Sequence, residues 1–410
     1  MAAVQDRITA WIDAHFDEET AFLQRLVQIP TDTPPGDNAP HAHAVAAELE
    51  ALGWEVERHA VPEAEVRGYG LASLTNLIVR RRYDAGGPTI ALNAHGDVVP
   101  PGEGWSKLPY GGVIEDGKLY GRAAAVSKSD FATYIYALRA LEAAGAPLQG
   151  TAELHFTYDE EFGGLLGPGW LLKQGLTRPD YLIGAGFSYA VVTAHNGCLQ
   201  FEVTIHGKAT HGSIPETGHD ALRAATAVLD AIYKAADGLK VKRSSIAGIN
   251  HPTMIVGRID GGTNTNVVPG KVVLRMDRRM IPEEDPVQVE AEVRALITQA
   301  VAGLAGIRVE IRRLLLAHAL RPLPGHERLS ASLRRHASEM FGESIDEIGS
   351  ALYTDARLYS ERGIPAVLYG AGPRTVLESN AKQADEHLVL EDLRGATKVV
   401  ALTLLDLLAA

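Results

Sequence analysis

The feature that most constrains the fold is the alternation of short apolar runs with amphipathic segments of helical length. Residues 89–93 form an apolar run, which is typical of a strand covered on both faces. Residues 128–144 have the pattern of a helix and lead to a second buried strand at residues 152–157. This alternation predicts an α/β domain with a largely parallel sheet.

The two ends of the chain supply the remaining elements of this α/β domain. Helices are predicted at residues 6–29, 40–52 and 388–408, and strands at residues 54–58, 76–79 and 367–369.

The middle of the chain follows a different order, which reads strand, helix, strand, strand, helix, strand. These six segments are residues 199–205, 220–235, 253–259, 271–276, 287–302 and 307–312. The order βαββαβ is that of a ferredoxin-like unit. We therefore predict a catalytic α/β domain from residues 1–197 and 315–410, interrupted by an inserted domain at residues 198–314.

Charge and composition exclude several classes of function. The formal net charge of −12 opposes binding to nucleic acid phosphates. The single cysteine, Cys198, rules out an internal disulfide and a thiolate metal cage. No run of 18 apolar residues is present, and the first residues carry no apolar signal region, so a cytoplasmic protein that does not enter a membrane is expected.

Two chemistry-bearing segments follow the two buried strands. His95 comes directly after the first strand, and Asp97 is placed to accept its second imidazole N–H. Asp159, Glu160 and Glu161 follow the second strand, where adjacent acids need cations or protons to compensate their repulsion. A carboxylate that binds a metal beside one that acts as general base is one solution, and a solvated acidic loop is the other.

Two further segments lie in the inserted domain, around His211 and Asn266. Both residue types can donate hydrogen bonds to a developing oxyanion, although each segment alone is more typical of a turn.

Taken in order, these segments resemble one known family. They read HGDVVPPGEGWSKLPYGGVIEDGKLYGR, YDEEFGG, HGKATHGSIPETGHDA, GGTNTNVVPGKVVLRMDRRMIP and YTDARLYSERGIPAVLYGAGP. This pattern is similar to that of the two-zinc aminoacylases, acetylornithine deacetylases, succinyl-diaminopimelate desuccinylases and carboxypeptidases G. The resemblance implies a mixed-sheet catalytic domain of zinc-exopeptidase type, with a ferredoxin-like insertion that acts as lid and pairs two chains into a homodimer.

The resemblance also implies roles for individual residues. His95 matches the histidine of the first metal, Asp97 the carboxylate that orients it, Glu160 the general base and Glu161 a ligand of the second metal.

Other matches concern the substrate. His211 and Asn266 match groups that reach the substrate of the partner chain, and Arg279 matches a contact to the substrate carboxylate. Asp355 and Arg357 lie in a segment that borders the substrate in the family.

Three positions depart from the family pattern. Val126 stands where an aspartate should bridge the two metals, and Ala185 or Gly186 stands where a glutamate should bind the first metal. Lys382 stands in place of the histidine of the second metal, and a lysine ammonium has no free lone pair. A two-zinc centre is therefore not expected.

Three interpretations remain open. In the first, at most one divalent ion, zinc or manganese, is held by His95, Glu161 and a recruited Asp130 or His387. In the second, no metal binds and the ammonium of Lys382 lies between the two glutamates and replaces the metal's charge. In the third, the chain is a non-catalytic dimer that binds a small carboxylate.

The function predicted from the sequence is hydrolysis of an amide-like C–N bond in a small carboxylate-bearing molecule, such as an N-acyl amino acid or peptide. Glu160 is the predicted base, assisted by Asp97, His211 and Lys382. Ser127 is expected to cap a helix rather than to act as a nucleophile.

Overall fold

The structure, a computed structural model, describes residues 2–409 of the chain. These residues form two compact units. The first contains residues 2–193, 322–348 and 354–409, and the second contains residues 194–321 and 349–353. The sequence predicts the insertion at residues 198–314, and these boundaries stay a prediction.

The first unit contains most of the helices. They are α1 (Ala2–Ala14), α2 (Phe16–Val27), α3 (Ala39–Ala51), α4 (Glu63–Gly68), α5 (Lys128–Ala143), α6 (Pro168–Lys173), α9 (His326–Phe341), α10 (Ala356–Ser360) and α11 (Leu390–Leu408). Its strands are β1 (Glu57–Ala60), β2 (Thr75–Arg82), β3 (Asp84–His95), β4 (Val113–Glu115), β5 (Lys118–Tyr120), β6 (Gln149–Thr157), β7 (Tyr181–Gly184), β8 (Val191–His195), β15 (Glu347–Ser350), β16 (Ala366–Leu368) and β17 (His387–Val389).

Eight of these strands form one mixed sheet in the order β1-β2-β6-β3-β7-β16-β8-β15. The four central strands, β6, β3, β7 and β16, run parallel, while β1, β2 and β8 pair antiparallel with their neighbours. The mixed sheet predicted from the sequence is therefore confirmed. Because parallel strands end at the same edge, His95 of β3 pairs with Thr157 of β6 at the carboxyl edge of the sheet.

Helix α5 fixes the position of this edge. Nearly all of its side chains are buried, as expected for a helix covered all round by other elements. Phe131 of α5 stacks on Phe156 of β6 with a ring separation of 4.1 Å. Helix α11 packs against α5 and carries an apolar run into the same core.

Two predictions about local structure are wrong. Residues 6–29 form two helices rather than one, with a break at His15. The imidazole Nδ1 of His15 donates to the carbonyl oxygen of Trp11 at 2.8 Å, and its ring stacks on the indole of Trp11. The strand expected at residues 54–58 lies at Glu57–Ala60 instead, because Trp54 and Val56 are buried in the core beside the turn that precedes the strand. Neither feature is encoded by the local apolar period. The break at His15 is accompanied by a contact with Trp11 one helical turn earlier, and the start of β1 follows the burial of Trp54 and Val56 in the core.

The second unit contains α7 (Ala221–Leu239), α8 (Pro286–Ala300), β9 (Gly197–His206), β10 (Thr210–His211), β11 (Thr253–Gly261), β12 (Val267–Val268), β13 (Lys271–Met280) and β14 (Arg308–Ala317). Its four long strands form an antiparallel sheet in the order β11-β13-β9-β14. With the two helices between them in sequence, this is the predicted ferredoxin-like arrangement, which is confirmed.

The core of the second unit lies between this sheet and its two helices. Along β9, Phe201, Val203 and Ile205 are buried and alternate with more exposed residues, so one face of the sheet is covered. The carboxylate of Asp220 accepts hydrogen bonds from Leu222 N and Arg223 N and caps α7. Within residues 2–409, no helix combines the length and the apolar character needed to cross a membrane.

A buried glutamate in the helical layer makes stability depend on pH. Glu19 of α2 is fully buried; one of its oxygens accepts a hydrogen bond from Thr397, and the other has no partner among residues 2–409. Burial raises the pKa of Glu19 to about 8. In the unfolded chain the same carboxyl ionises near its ordinary pKa of about 4.3. The unfolded state therefore gains stability from ionisation as the pH rises between these two values.

We predict that Glu19→Gln raises the free energy of unfolding by on the order of 2–4 kcal/mol more at pH 9 than at pH 5. The glutamine keeps the bond to Thr397 but has no charge to bury. Urea titrations at both pH values measure the difference. An equal effect of the substitution at pH 5 and pH 9 would show that Glu19 does not titrate in this range.

Candidate functional site

The site is built at the end of β3. His95 is the last residue of the strand, and its backbone is held by Ser127, whose hydroxyl donates to His95 O at 2.9 Å and accepts from His95 N at 3.0 Å. Ser127 is buried and its side chain makes no capping bond to α5. The predicted capping role is therefore wrong: the hydroxyl fastens the start of α5 to the end of β3.

Asp97 joins the ends of β3 and β6. One carboxylate oxygen accepts from Glu160 N at 3.2 Å and the other from Glu161 N at 3.0 Å. The two amides begin a short 3-10 helix, Glu160–Phe162, and amides at a helix start favour a negative charge. The imidazole Nδ1 of His95 lies 3.0 Å from the carbonyl oxygen of Asp97 and 3.3 Å from its carboxylate. Asp97 thus orients both the histidine and the two glutamates.

His95 and Glu160 face each other across this arrangement. Nε2 of His95 lies 3.9 Å from Oε2 of Glu160. Burial opposes charge on His95, but the hydrogen bond to Asp97 and the nearby glutamates raise its pKa to about 10. Burial, together with repulsion from Glu161 and Asp97, raises the pKa of Glu160 to about 7, although His95 and Lys382 oppose the shift. Glu160 therefore sits near the neutral range in which a general base works best.

Lys382 brings a second cation to the same edge. Its Nζ donates to Oε2 of Glu161 at 2.7 Å. The lysine side chain is 52 % exposed and the glutamate only 10 %, so the ammonium reaches inward from the surface. Partial burial would lower the pKa of Lys382, but the carboxylates of Glu161 and Glu160 raise it above its ordinary value.

Two buried acids lie behind the glutamates. Asp159 accepts from Leu166 N at 2.6 Å, and burial beside Asp97 raises its pKa to about 8. Asp355, at the start of α10, is 5 % exposed, and its Oδ2 has no hydrogen-bond partner among residues 2–409. Burial and the charges of Glu160 and Asp159 raise the pKa of Asp355 well above its ordinary value. Burial therefore favours the protonated form of both carboxyls.

Arg357 is placed differently from what a direct substrate contact requires. It is 2 % exposed, donates to Gly163 O just beyond the short helix that carries the glutamates, and pairs with Glu361 at 3.2 Å. Its guanidinium is thus used to hold the turn after Phe162. A role in substrate binding stays a prediction.

The residues that could recruit a metal are engaged elsewhere. Asp130 is buried and accepts from Ala371 N at 2.7 Å, next to the end of β16. His387 lies in β17, with its Nδ1 3.0 Å from Asp385 O. Among residues 2–409, no group of three or more histidine, cysteine, aspartate or glutamate side chains is arranged to hold a metal ion.

The donor set therefore does not fit the metal centre implied by the sequence resemblance. Val126, at the position that the resemblance assigns to the bridging ligand, has no donor atom, and the ammonium of Lys382 already binds the carboxylate of Glu161.

Lys128, two residues after Val126, makes its contacts away from Glu160 and Glu161. Lys128 is fully buried, and its Nζ donates to Leu26 O and Ile29 O at the end of α2. The carbonyls at a helix end attract a cation, although burial lowers the pKa of Lys128 to about 7.

The remaining predicted residues lie in the second unit. His211 of β10 and Asn266 belong to adjacent segments, since Gly212 N donates to Asn266 O at 2.7 Å. Both side chains are exposed. Arg279 of β13 donates to Asp277 at 2.8 Å and its guanidinium lies over the ring of Tyr353. Their roles toward a substrate stay predictions.

Two site residues were missed by the sequence analysis. Glu386 is buried, pairs with the equally buried Arg122, and accepts a hydrogen bond from Lys382 N at 3.1 Å. The signal was present, because both residues belong to the segments in which Val126 and Lys382 depart from the family pattern. Only the tertiary structure shows that these segments meet.

A mixed-sheet domain with a ferredoxin-like insertion, and an acid-rich site at the carboxyl edge of its sheet, is the architecture that the resemblance to zinc-exopeptidase-type amidohydrolases implies. The chain belongs to peptidase family M20/M25/M40, whose model matches residues 91–406. The family recognised from the sequence is thus confirmed. It is a family of amide-bond hydrolases of the acylamino-acid and dipeptide type.

Three known proteins illustrate the similarity. Acetylornithine deacetylase of Myxococcus xanthus is 28 % identical over 388 residues, which cover 93 % of this chain and 95 % of that protein. The di-peptidase Dug1p of Saccharomyces cerevisiae has a TM-score of 0.81 at 15 % identity, covering 99 % and 98 % of the two chains. The YXEP protein of Bacillus subtilis, a dinuclear metal-binding peptidase of family M20, has a TM-score of 0.67 at 18 % identity, covering 97 % and 99 %.

The position of Ser127 leads to a prediction. Ser127→Ala should lower the free energy of unfolding by about 1–3 kcal/mol, because the N–H and C=O of His95 lose their partner. Ser129→Ala is the matched control, since that neighbouring buried hydroxyl makes a single long bond of 3.4 Å. Chemical denaturation of both variants measures the difference.

A separate labelling experiment should show no covalent adduct of a serine-reactive fluorophosphonate at wild-type Ser127. The hydroxyl is buried, donates to His95 O and accepts from His95 N. A stoichiometric adduct at Ser127 would contradict this structural role.

Proposed function

We propose that this chain hydrolyses an activated C–N bond in a small carboxylate-bearing molecule without a metal, with Glu160 as general base and the ammonium of Lys382 in place of the second metal's charge. The observation that carries the proposal is the 2.7 Å contact between Lys382 Nζ and Glu161. A cation fixed beside the base can stabilise the oxyanion that forms when the carbonyl is attacked.

Glu160 supports the proposal through its position and its raised pKa of about 7. In the proposed reaction its carboxylate takes a proton from water, and the resulting hydroxide attacks the carbonyl carbon. The C–N bond then breaks, and the protonated Glu160 returns the proton to the departing nitrogen. Asp97 holds the backbone of the base through Glu160 N, so we assign it a positioning role.

The strength of the cation limits the substrate. An ammonium carries one charge and cannot polarise a carbonyl as a Lewis acid does, so an ordinary amide would react slowly. An amide activated by an electron-withdrawing acyl group, or by ring strain, requires less stabilisation. We therefore propose an activated N-acyl amino acid or a related small cyclic amide as the substrate class.

The substrate carboxylate has candidate partners in the second unit. Arg279 carries a partly exposed guanidinium, and His211 and Asn266 expose hydrogen-bonding side chains. We propose that these three groups bind the substrate and its oxyanion in a homodimer paired through the inserted domain. The cytoplasmic location expected from the sequence also stays a proposal.

Substitution of Lys382 tests the proposed chemistry. We predict that Lys382→Gln lowers kcat/KM by about 10²–10³-fold, the usual loss when one oxyanion-stabilising group is removed. Lys382→Arg should retain part of the activity, because it keeps the charge. The measurement uses N-trifluoroacetyl and N-acetyl amino acids in parallel, and the trifluoroacetyl compounds should be hydrolysed preferentially.

A chelator provides the second arm of this test. Turnover by the wild type should be unchanged after dialysis against EDTA and after addition of zinc or manganese. Loss of activity with EDTA and its recovery with one of these ions would overturn the proposal in favour of a recruited metal. Binding of these compounds without hydrolysis, unaffected by Glu160→Gln, would instead indicate a non-catalytic dimer.

A further inference from the structure

We infer that the buried ion pair between Arg122 and Glu386 is the device that positions the ammonium of Lys382 against Glu161. Any effect of this ion pair on catalysis rests on the function proposed above, whereas its positioning of Lys382 does not depend on that function. Arg122 and Glu386 touch no proposed reacting atom, so we assign them as positioning residues.

Glu386 joins two segments of the chain through one carboxylate. Oε2 accepts from Lys382 N at 3.1 Å, and Oε1 accepts from Ala125 N at 3.3 Å. Its own carbonyl accepts from Gly121 N at 2.9 Å. The loop that carries Lys382 is therefore fixed to the segment that ends at Val126, and both are segments in which metal ligands of the family are replaced.

The loop needs such a restraint because its backbone is strained. Asn380, Lys382 and Asp385 adopt left-handed conformations, with φ of 51°, 62° and 56°. Side-chain-bearing residues rarely adopt this region, and it persists where surrounding contacts enforce it. For Lys382 the enforcing contact is the hydrogen bond from its N–H to Glu386. The carboxylate of Asp385 accepts from Ser106 N at 2.8 Å and holds the other end of the loop.

Arg122 fixes Glu386 in turn. Its guanidinium pairs with Glu386, donates to Pro101 O at 2.9 Å and lies over the ring of Trp105 at 5.2 Å. Arg122 and Glu386 are 1 % and 2 % exposed. A buried charge pair of this kind is a weak source of net stability, but it strongly penalises any structure in which the two charges separate. An ion pair that resists separation in this way can hold the loop of the half-exposed Lys382 in one position.

The test measures the lysine directly and needs no substrate. In native wild-type protein, trace acetylation by acetic anhydride followed by peptide mass spectrometry gives the reactivity of Lys382 relative to Lys398, which pairs with Asp13 at 2.6 Å. Glu386→Gln removes the charge that holds the loop and should release Lys382 from Glu161. The acetylation rate of Lys382 should then rise severalfold, because its amine is no longer held against the carboxylate of Glu161 and is more accessible to the reagent.

Glu153→Gln is the matched control. Glu153 is also a buried acid paired with an arginine, Arg80, at 2.9 Å, but it makes no contact with the Lys382 loop. The Glu153→Gln variant should have a lower free energy of unfolding, but its Lys382 should be acetylated at the wild-type rate. An unchanged rate in a folded Glu386→Gln variant, or an equal rise in Glu153→Gln, would overturn the positioning role.

A measurement on the wild type decides the matter if Glu386→Gln does not fold. The amide of Lys382 lies in a surface loop, yet its hydrogen bond to Glu386 should slow hydrogen exchange at least roughly 100-fold relative to a free peptide. Exchange at the free-peptide rate would refute the inference. Slow exchange together with full activity of Lys382→Gln would retain the positioning role and reject the proposed function.

Discussion

The rest of the site depends on one electrostatic constraint, which is the need to compensate the acids gathered at the carboxyl edge of the large sheet. These acids are Asp97, Asp159, Glu160, Glu161 and Asp355. Acids this close and this buried cannot all ionise without partners. The structure meets the constraint in three ways: burial that favours the protonated forms of Asp159 and Asp355, the imidazole of His95 beside Asp97, and the ammonium of Lys382 on Glu161. A lysine at position 382 thus supplies positive charge, which the acids at this edge of the sheet require.

Membership of the family does not determine the chemistry of this site. The fold and the ordered segments place the chain in peptidase family M20/M25/M40. A fold does not by itself fix a reaction, because the reaction depends on the groups at the site. Here Val126 and Lys382 replace groups that the resemblance assigns to metals, while Asp97 and Glu160 keep the geometry of an orienting acid and a base. In the function proposed above, Glu160 is kept as the base and the ammonium of Lys382 takes the place of the metal's charge.

Much of this could be predicted from the sequence, because it depends on local patterns. The order of strands and helices gave the ferredoxin-like insertion, and the strand ends located His95 and the glutamates. The break at His15, the bond from Ser127 to His95 and the pair of Arg122 with Glu386 could not be predicted in the same way. The two residues of that pair are 264 positions apart, and only packing brings them together. Asp130 is a possible metal ligand by residue type, but the sequence does not show that its carboxylate accepts a hydrogen bond from Ala371 N.

The central claim is that an ammonium occupies the place where the family resemblance implies a metal. Crystals grown with excess zinc and measured at the zinc absorption edge test it most directly. The account predicts no anomalous peak between His95, Glu160 and Glu161, with Lys382 Nζ remaining within hydrogen-bond distance of Glu161. A zinc peak at about 2.0–2.2 Å from His95 and Glu161, with Lys382 turned away, would contradict it.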